Sequence, residues 1–132
     1  MNDQDKQYIL MCQEAKKLQE QWQPSIGDVY AHINYDKWDR GPRIIRTAEN
    51  YHRDNKRFYI WLPSQSQLQG MLKSGRNAWG EMQRVVVWAK EEMSRNYFSM
   101  EILWLSYVMH ELYQKKWTGK EWVNERAENK YI

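Results

Sequence analysis

The apolar positions near the N terminus have the period of an α-helix. An apolar stripe runs through roughly Asp5–Trp22, and Pro24 ends it. Its members are Tyr8, Met11, Cys12, Ala15, Leu18 and Trp22. The pattern then changes to alternation in Val29–Ile33 and again in Arg57–Leu62, with a short β-branched run, Arg43–Thr47, between them. These three runs predict antiparallel strands with one covered face.

The second half of the chain returns to helical spacing. Pro63 closes the last strand, and Ser64 is spaced from Gln67 as in a capping box, which predicts the start of a helix. Apolar residues recur at helical spacing in Trp79–Met93, where the surrounding charges favour helix over strand.

The stretch Phe98–Val123 predicts the last helix and the centre of the fold. Ser99 is its expected N-cap, and Gly119 is expected to stop it. One arc of this helix is apolar and consists of Ile102, Leu105, Val108, Met109 and Leu112. The other side also carries large side chains, and a helix that is apolar nearly all round is usually buried on more than one side.

These elements together predict an α+β fold. We expect an N-terminal helix, a three-stranded antiparallel sheet, and then about three helices with the last one central. The length of 132 residues suits a single small domain over residues 1–132. Residues 124–132 show no sustained periodicity and are expected to form a mobile tail.

The second side of the last helix leaves two alternatives open. It carries Leu103 and Tyr107, one turn apart, with Ser106, His110 and Gln114. The favoured alternative is that another helix, such as Trp79–Met93, covers this side within the monomer. In the other alternative, Leu103, Tyr107 and His110 form an open surface for a dimer or for another protein.

Composition restricts the class of protein. Charged residues make up 28% of the chain and apolar residues 42%, which argues against disorder. Eight Trp and nine Tyr stand against two Phe, so large rings with polar atoms either need buried partners or face a partner molecule. With one cysteine and no recognisable signal peptide or membrane span, we expect a soluble, cytoplasmic protein and no membrane association.

The positive charge is concentrated in one segment. Residues 36–57 contain seven Lys and Arg against four acidic residues, an excess equal to the net charge of +3 of the whole chain. This segment is a candidate nucleic-acid interface, with contacts from Trp38, Arg40, Arg43, Arg46, Arg53, Lys56 and Arg57. The alternative is a hairpin whose charged solvent face suppresses edge pairing.

No enzyme signature emerges from the sequence. His110-Glu111 resembles the start of a zinc-protease helix, but Gln114 occupies the position of the second histidine. His32, Asp36 and Asp39 could approach a metal, yet loop aspartates are mostly solvated turn residues. We therefore predict no catalytic residues, no metal site and no cofactor.

Three segments resemble small uncharacterised proteins encoded by phages and prophages of Gram-positive bacteria. They are Ile60–Gln69, Phe98–Met109 and Lys116–Val123, together with the Trp22-Gln23-Pro24 turn. The resemblance implies a compact phage protein, without an activity or site residues to transfer. We expect a non-enzymatic macromolecular-interaction module that binds a protein partner or itself, with a nucleic-acid-binding accessory protein as the alternative.

Overall fold

A computed structural model describes residues 3–33, 41–46, 58–72, 77–92 and 99–125. The chain divides into two compact units. The first comprises Met1–Ser64 and Gly119–Trp122, and the second comprises Gln65–Thr118 and Val123–Ile132. The predictions that concern residues 34–40, 47–57 and 126–132 lie outside the described residues.

The N-terminal helix is interrupted once. Helix α1 spans Asp3–Glu14 and helix α2 spans Lys16–Glu20, with Ala15 between them in a non-helical conformation (φ −83°, ψ 72°). The Cys12 carbonyl accepts from the Ala15 N–H at 3.1 Å and from the Gln19 side chain at 3.1 Å. A side-chain donor therefore joins the Ala15 N–H at a carbonyl near the end of α1, where the regular helical hydrogen bonds run out.

The first unit contains the predicted three-stranded antiparallel sheet. Strand β1 is Val29–His32, β2 is Arg43–Ile44 and β3 is Tyr59–Trp61, and their order is β2-β1-β3. The strands are shorter than the sequence predicts. Tyr30 lies opposite both Arg43 and Trp61, and Ala31 lies opposite Ile60. Ala31 and Ile60 are buried, which identifies the covered face.

The covered elements of the first unit are held by paired rings and polar contacts. Trp22 and Trp61 stack with parallel rings whose centroids are 6.1 Å apart. The Trp22 indole donates to the buried Asp28 carboxylate at 2.9 Å. The Trp122 indole donates to the Met11 carbonyl at 2.9 Å. These bonds satisfy large polar-tipped rings inside the unit, as the Trp-rich composition requires.

The second unit is built around the last helix. It contains helices α3 (Gln65–Gly70), α4 (Ala78–Glu92) and α5 (Met100–Tyr113). Helix α5 packs against α3, α4 and the following strand β4, Lys115–Trp117. Every residue from 102 to 109 is buried. The central position predicted for this helix is therefore observed within its unit, and the mixed α+β class is confirmed.

Both ends of α5 have clear local causes. At the start, the Ser99 hydroxyl accepts from the Ile102 N–H at 3.2 Å, as predicted. At the end, Gln114 adopts the left-handed conformation (φ 51°, ψ 48°), so the helix stops there and not at Gly119. Leu112, placed in the buried arc by its spacing, is 39% exposed, and that assignment is wrong.

A C-terminal hairpin follows, which the sequence analysis missed. Strand β4 pairs with β5, Trp122–Asn124. The Glu125 N–H donates to the Gln114 carbonyl at 2.9 Å. Asn124 therefore belongs to β5 and Glu125 is bonded beside it. The rest of the predicted tail, residues 126–132, lies outside the described residues. Among the described residues, no helix combines the length and apolar character needed to cross a membrane.

Candidate functional site: an α4 surface and a ring-bearing sheet

The predicted partner surface on α5 is not an open patch. Leu103 and Tyr107 are 7% and 2% exposed, so neither is available to a partner. The Trp88 ring of α4 lies edge-on to the Tyr107 ring, with centroids 5.4 Å apart. The helix that the sequence favours as a cover within the monomer therefore does cover Tyr107. Of the three predicted surface residues, His110 alone is partly exposed.

Tyr107 sits in a polar environment although it is buried. Burial, and then the negative charge of Glu111, raise the pKa of the Tyr107 hydroxyl. Hydrogen bonding from Arg84 works against this shift by favouring the phenolate. The hydroxyl therefore stays protonated at neutral pH and serves as a neutral hydrogen-bonding group.

A pocket of about 450 Å³ lies between α4 and α5. We call it the α4–α5 pocket. Its walls combine rings, acids and one guanidinium, from Gln83, Arg84, Val87, Trp88, Glu91, Tyr107, His110 and Glu111. The α4 residues of this pocket were not predicted. The helical periodicity of Trp79–Met93 indicates a buried stripe, but it does not show which polar residues border a neighbouring helix.

His110 is oriented by a carboxylate from the C-terminal hairpin. Its Nδ1 lies 2.8 and 2.9 Å from the two carboxylate oxygens of Glu125. Such a contact fixes the ring and, in neutral imidazole, places the proton on Nδ1, leaving Nε2 as an acceptor. None of the described residues that line the pocket is a Ser, Thr or Cys that this imidazole could activate.

The side of α4 that faces away from Tyr107 carries exposed apolar residues. Trp79 is 70% exposed, Val86 41% and Val87 58%. On a helical wheel Trp79, Gln83, Val86 and Lys90 fall within about 60° of one another, with Val87 at the margin. We call these five residues the outer face of α4. Gln83 and Val87 also line the pocket, so the two features are continuous.

Two of the predicted nucleic-acid contacts are visible in the first unit. Arg43 lies in β2, Arg46 follows two residues after this strand, and both are exposed. The other five (Trp38, Arg40, Arg53, Lys56 and Arg57) lie outside the described residues. The structure therefore shows one exposed pair of arginines at the β2 edge of the sheet.

Three rings lie together on the face of the sheet that also carries Arg43. The Tyr30 and Tyr59 ring centroids are 4.5 Å apart, and the His32 and Tyr59 centroids are 6.0 Å apart. All three residues are half-buried. Alternation in the sequence indicates that Tyr30 and His32 share a face of β1, and it assigns Tyr59 to a face of β3. Only the register shows that these faces coincide.

The described residues provide neither a metal-binding cluster nor a reactive thiol. No group of three or more His, Cys, Asp or Glu side chains there could hold a metal ion. Asp36 and Asp39, weighed above with His32, lie outside it. Cys12 is completely buried, and burial raises the pKa of its thiol far above the ordinary value. The sulfur is therefore held in its unreactive form.

Comparison with known proteins adds no relative. No family model, curated protein sequence or solved structure matches this chain. The resemblance to phage and prophage proteins therefore stays a prediction.

Proposed function

We propose that this protein is a non-enzymatic interaction module, of the phage or prophage kind that its sequence resembles, which binds another protein molecule through the outer face of α4. The observation that carries the proposal is the 70% exposure of Trp79. An indole left in water forgoes much of the free energy that its burial provides. Tryptophan is also enriched among the residues that dominate binding energy at protein interfaces.

The neighbours of Trp79 extend this argument from one residue to a surface. Val86 lies two helical turns further on, and Val87 lies beside it. The continuous α4–α5 pocket gives a partner side chain a concave place to enter next to Val87. An apolar strip beside a polar pocket is the combination of core and rim expected at a protein interface.

A second copy of the chain is the partner that the outer face favours. Its residues Trp79, Gln83, Val86 and Lys90 follow the 4-3-4 spacing of a coiled-coil seam. If two α4 helices pair antiparallel with the two-fold axis between residues 84 and 85, Trp79 meets Lys90 of the other copy. That contact is a cation–π pair, and it occurs twice in the dimer.

Sedimentation-velocity ultracentrifugation over a concentration series tests the proposal. We expect the wild type to shift from monomer to dimer as concentration rises. Trp79→Ser and Val86→Glu should each move the transition to higher concentration, because they remove apolar contact area from the seam. The matched control is Ile26→Ser, which removes an apolar side chain that is 65% exposed in the other unit.

A second experiment distinguishes self-association from binding to a different protein. A photo-crosslinking amino acid is placed at position 79, and the crosslinked species are identified in cells that express the protein. A strictly monomeric wild type, with discrete crosslinked species at position 79 that the Val86→Glu change abolishes, would replace self-association with a heterologous partner. Absence of both a dimer and a discrete crosslinked species would overturn the interaction module itself. A crosslinker at position 26 provides the background.

A further inference from the structure

The sheet of the first unit presents a second surface with a different chemistry. Strand alternation and register divide its residues into two faces. Ala31 and Ile60 point to the buried face. Their neighbours Tyr30, His32 and Tyr59 point to the opposite face, where all three remain half-buried. Aromatic side chains that are part-exposed on a sheet, rather than inside a core, leave ring surface for a ligand.

The burial of this ring face decreases from one end of the strands to the other. At one end Trp61 lies opposite Tyr30 and is stacked against Trp22, and both indoles are buried. At the other end Tyr59 lies opposite His32. The chain thus closes one end of the ring face with an indole and leaves Tyr30, Tyr59 and His32 part-exposed beyond it.

Positive charge lies on the edge next to these rings. Arg43 is the cross-strand partner of Tyr30 on β2, and it is exposed. Arg46 is also exposed, but it lies beyond β2, after Ile45, which is bonded to Asp28. Both arginines belong to the segment 36–57, whose excess of three positive charges equals the net charge of the chain. Part-exposed rings next to the Arg43 guanidinium form a stacking surface with an adjacent place for a phosphate.

From this juxtaposition we propose that the sheet binds single-stranded nucleic acid, with bases stacked on Tyr30 and Tyr59 and a phosphate held by Arg43. Single strands are favoured over duplexes because a tyrosine ring can stack only on a base whose face is not already covered. The rings read no base edge, so binding should tolerate changes of sequence. This proposal is independent of the α4 surface, which lies in the other unit.

Fluorescence anisotropy with end-labelled single strands of DNA and RNA, of about 20 nucleotides so as to exceed a typical site size, tests the proposal. We expect Tyr30→Leu to weaken binding by roughly 5- to 150-fold, the range for loss of one stacked base. Tyr30→Phe keeps the ring and should bind like the wild type. A thermal melt of each variant separates loss of binding from loss of folding.

The phosphate contact of Arg43 is tested by the salt dependence of binding. Arg43→Gln should lower the slope of log K against log salt by about 0.7, the value for one phosphate contact on a single strand. Lys6→Gln removes the same charge from an exposed position of α1 and is the control. Failure of the wild type to bind either strand at low salt would overturn the proposal. So would equal affinity for duplex and single strand, or a folded Tyr30→Leu variant that binds normally.

Discussion

Gln19 offers the sharpest test of how the first unit is held together. Its side-chain oxygen accepts from the Trp61 N–H at 2.8 Å, and its nitrogen donates to the Trp61 carbonyl at 2.9 Å. The same nitrogen lies 3.1 Å from the Cys12 carbonyl. One amide therefore pairs with both backbone groups of Trp61 in β3 and also with the end of α1. It does so as a neighbouring strand would, with one donor and one acceptor.

The Gln19→Ala variant should lose about 2–4 kcal/mol of unfolding free energy. Three hydrogen bonds are removed, and each contributes about 1 kcal/mol net. The Trp61 N–H and carbonyl are then left without this partner, which adds to the loss where water cannot reach them. Gln19 is half-buried, so partial hydration keeps the total below the sum for fully buried groups. A loss of this size is a large fraction of a typical domain's stability.

Urea denaturation followed by tryptophan fluorescence measures this loss, since Trp22 and Trp61 lie close to the site. Gln7→Ala is the matched control, because Gln7 is exposed in α1 and the change carries the same helix-propensity gain. A Gln19→Ala variant within about 0.5 kcal/mol of Gln7→Ala, the scatter of ordinary surface changes, would refute the structural role.

Gln19→Glu adds a pH-dependent arm to the same test. A carboxylate accepts from the Trp61 N–H but faces the Trp61 and Cys12 carbonyl oxygens, so its charged form is disfavoured in the folded state. The folded-state pKa of this glutamate should therefore exceed its unfolded value of about 4.3. Its stability deficit relative to wild type should be largest at neutral pH and shrink as the pH falls through the raised pKa. A deficit that grows on acidification would contradict the geometry.

Four further outcomes are expected. Because burial raises the pKa of the Cys12 thiol above its ordinary value of 9.0, folding should lose stability as the pH rises above 9, and Cys12→Ala should reduce this loss in thermal melts. At neutral pH, labelling of Cys12 by iodoacetamide should follow urea unfolding; rapid labelling of the native protein would disprove its burial. Gln114→Gly should raise the unfolding free energy by up to about 1 kcal/mol, because the left-handed conformation costs a non-glycine residue about 1–2 kcal/mol and the greater freedom of glycine in the unfolded chain offsets about 0.5–1 kcal/mol of this. A loss measured by urea denaturation would show that the contacts of the Gln114 side chain matter more. Leu105→Asp should prevent cooperative folding, since it buries an unpaired charge in α5, and a sharp thermal transition of this variant would show that α5 is peripheral.

Local order along the chain was determined by the sequence itself. The helical period of residues 79–93 and of residues 102–109 predicts α4 and α5, and Ser99 predicts the start of α5. The alternation around Tyr30 and Tyr59 likewise predicts strands of one antiparallel sheet. These features depend on residues within one or two turns or strand lengths of each other, so a single sequence contains the information.

Three features of the fold were not predictable from local sequence patterns. The interruption at Ala15 accompanies a Gln19 side chain that bonds to Trp61, 42 residues away. The β4–β5 hairpin lacks a long alternating pattern, so its short strands leave little local signal. The exposure of Leu112 likewise depends on which elements surround α5, since its spacing alone is that of a buried residue.

Both candidate surfaces were decided by tertiary structure. The sequence leaves open whether Tyr107 is covered within the monomer or exposed to a partner. The contact with Trp88 shows that it is covered. The exposed positions on α4 follow from which side of that helix meets α5. The ring contact of Tyr30 with Tyr59 and the pairing of Tyr30 with Arg43 follow from strand register, which a one-residue shift would reverse. Periodicity defines the faces of each helix and strand, and only packing between elements decides which face is buried and which can bind a partner.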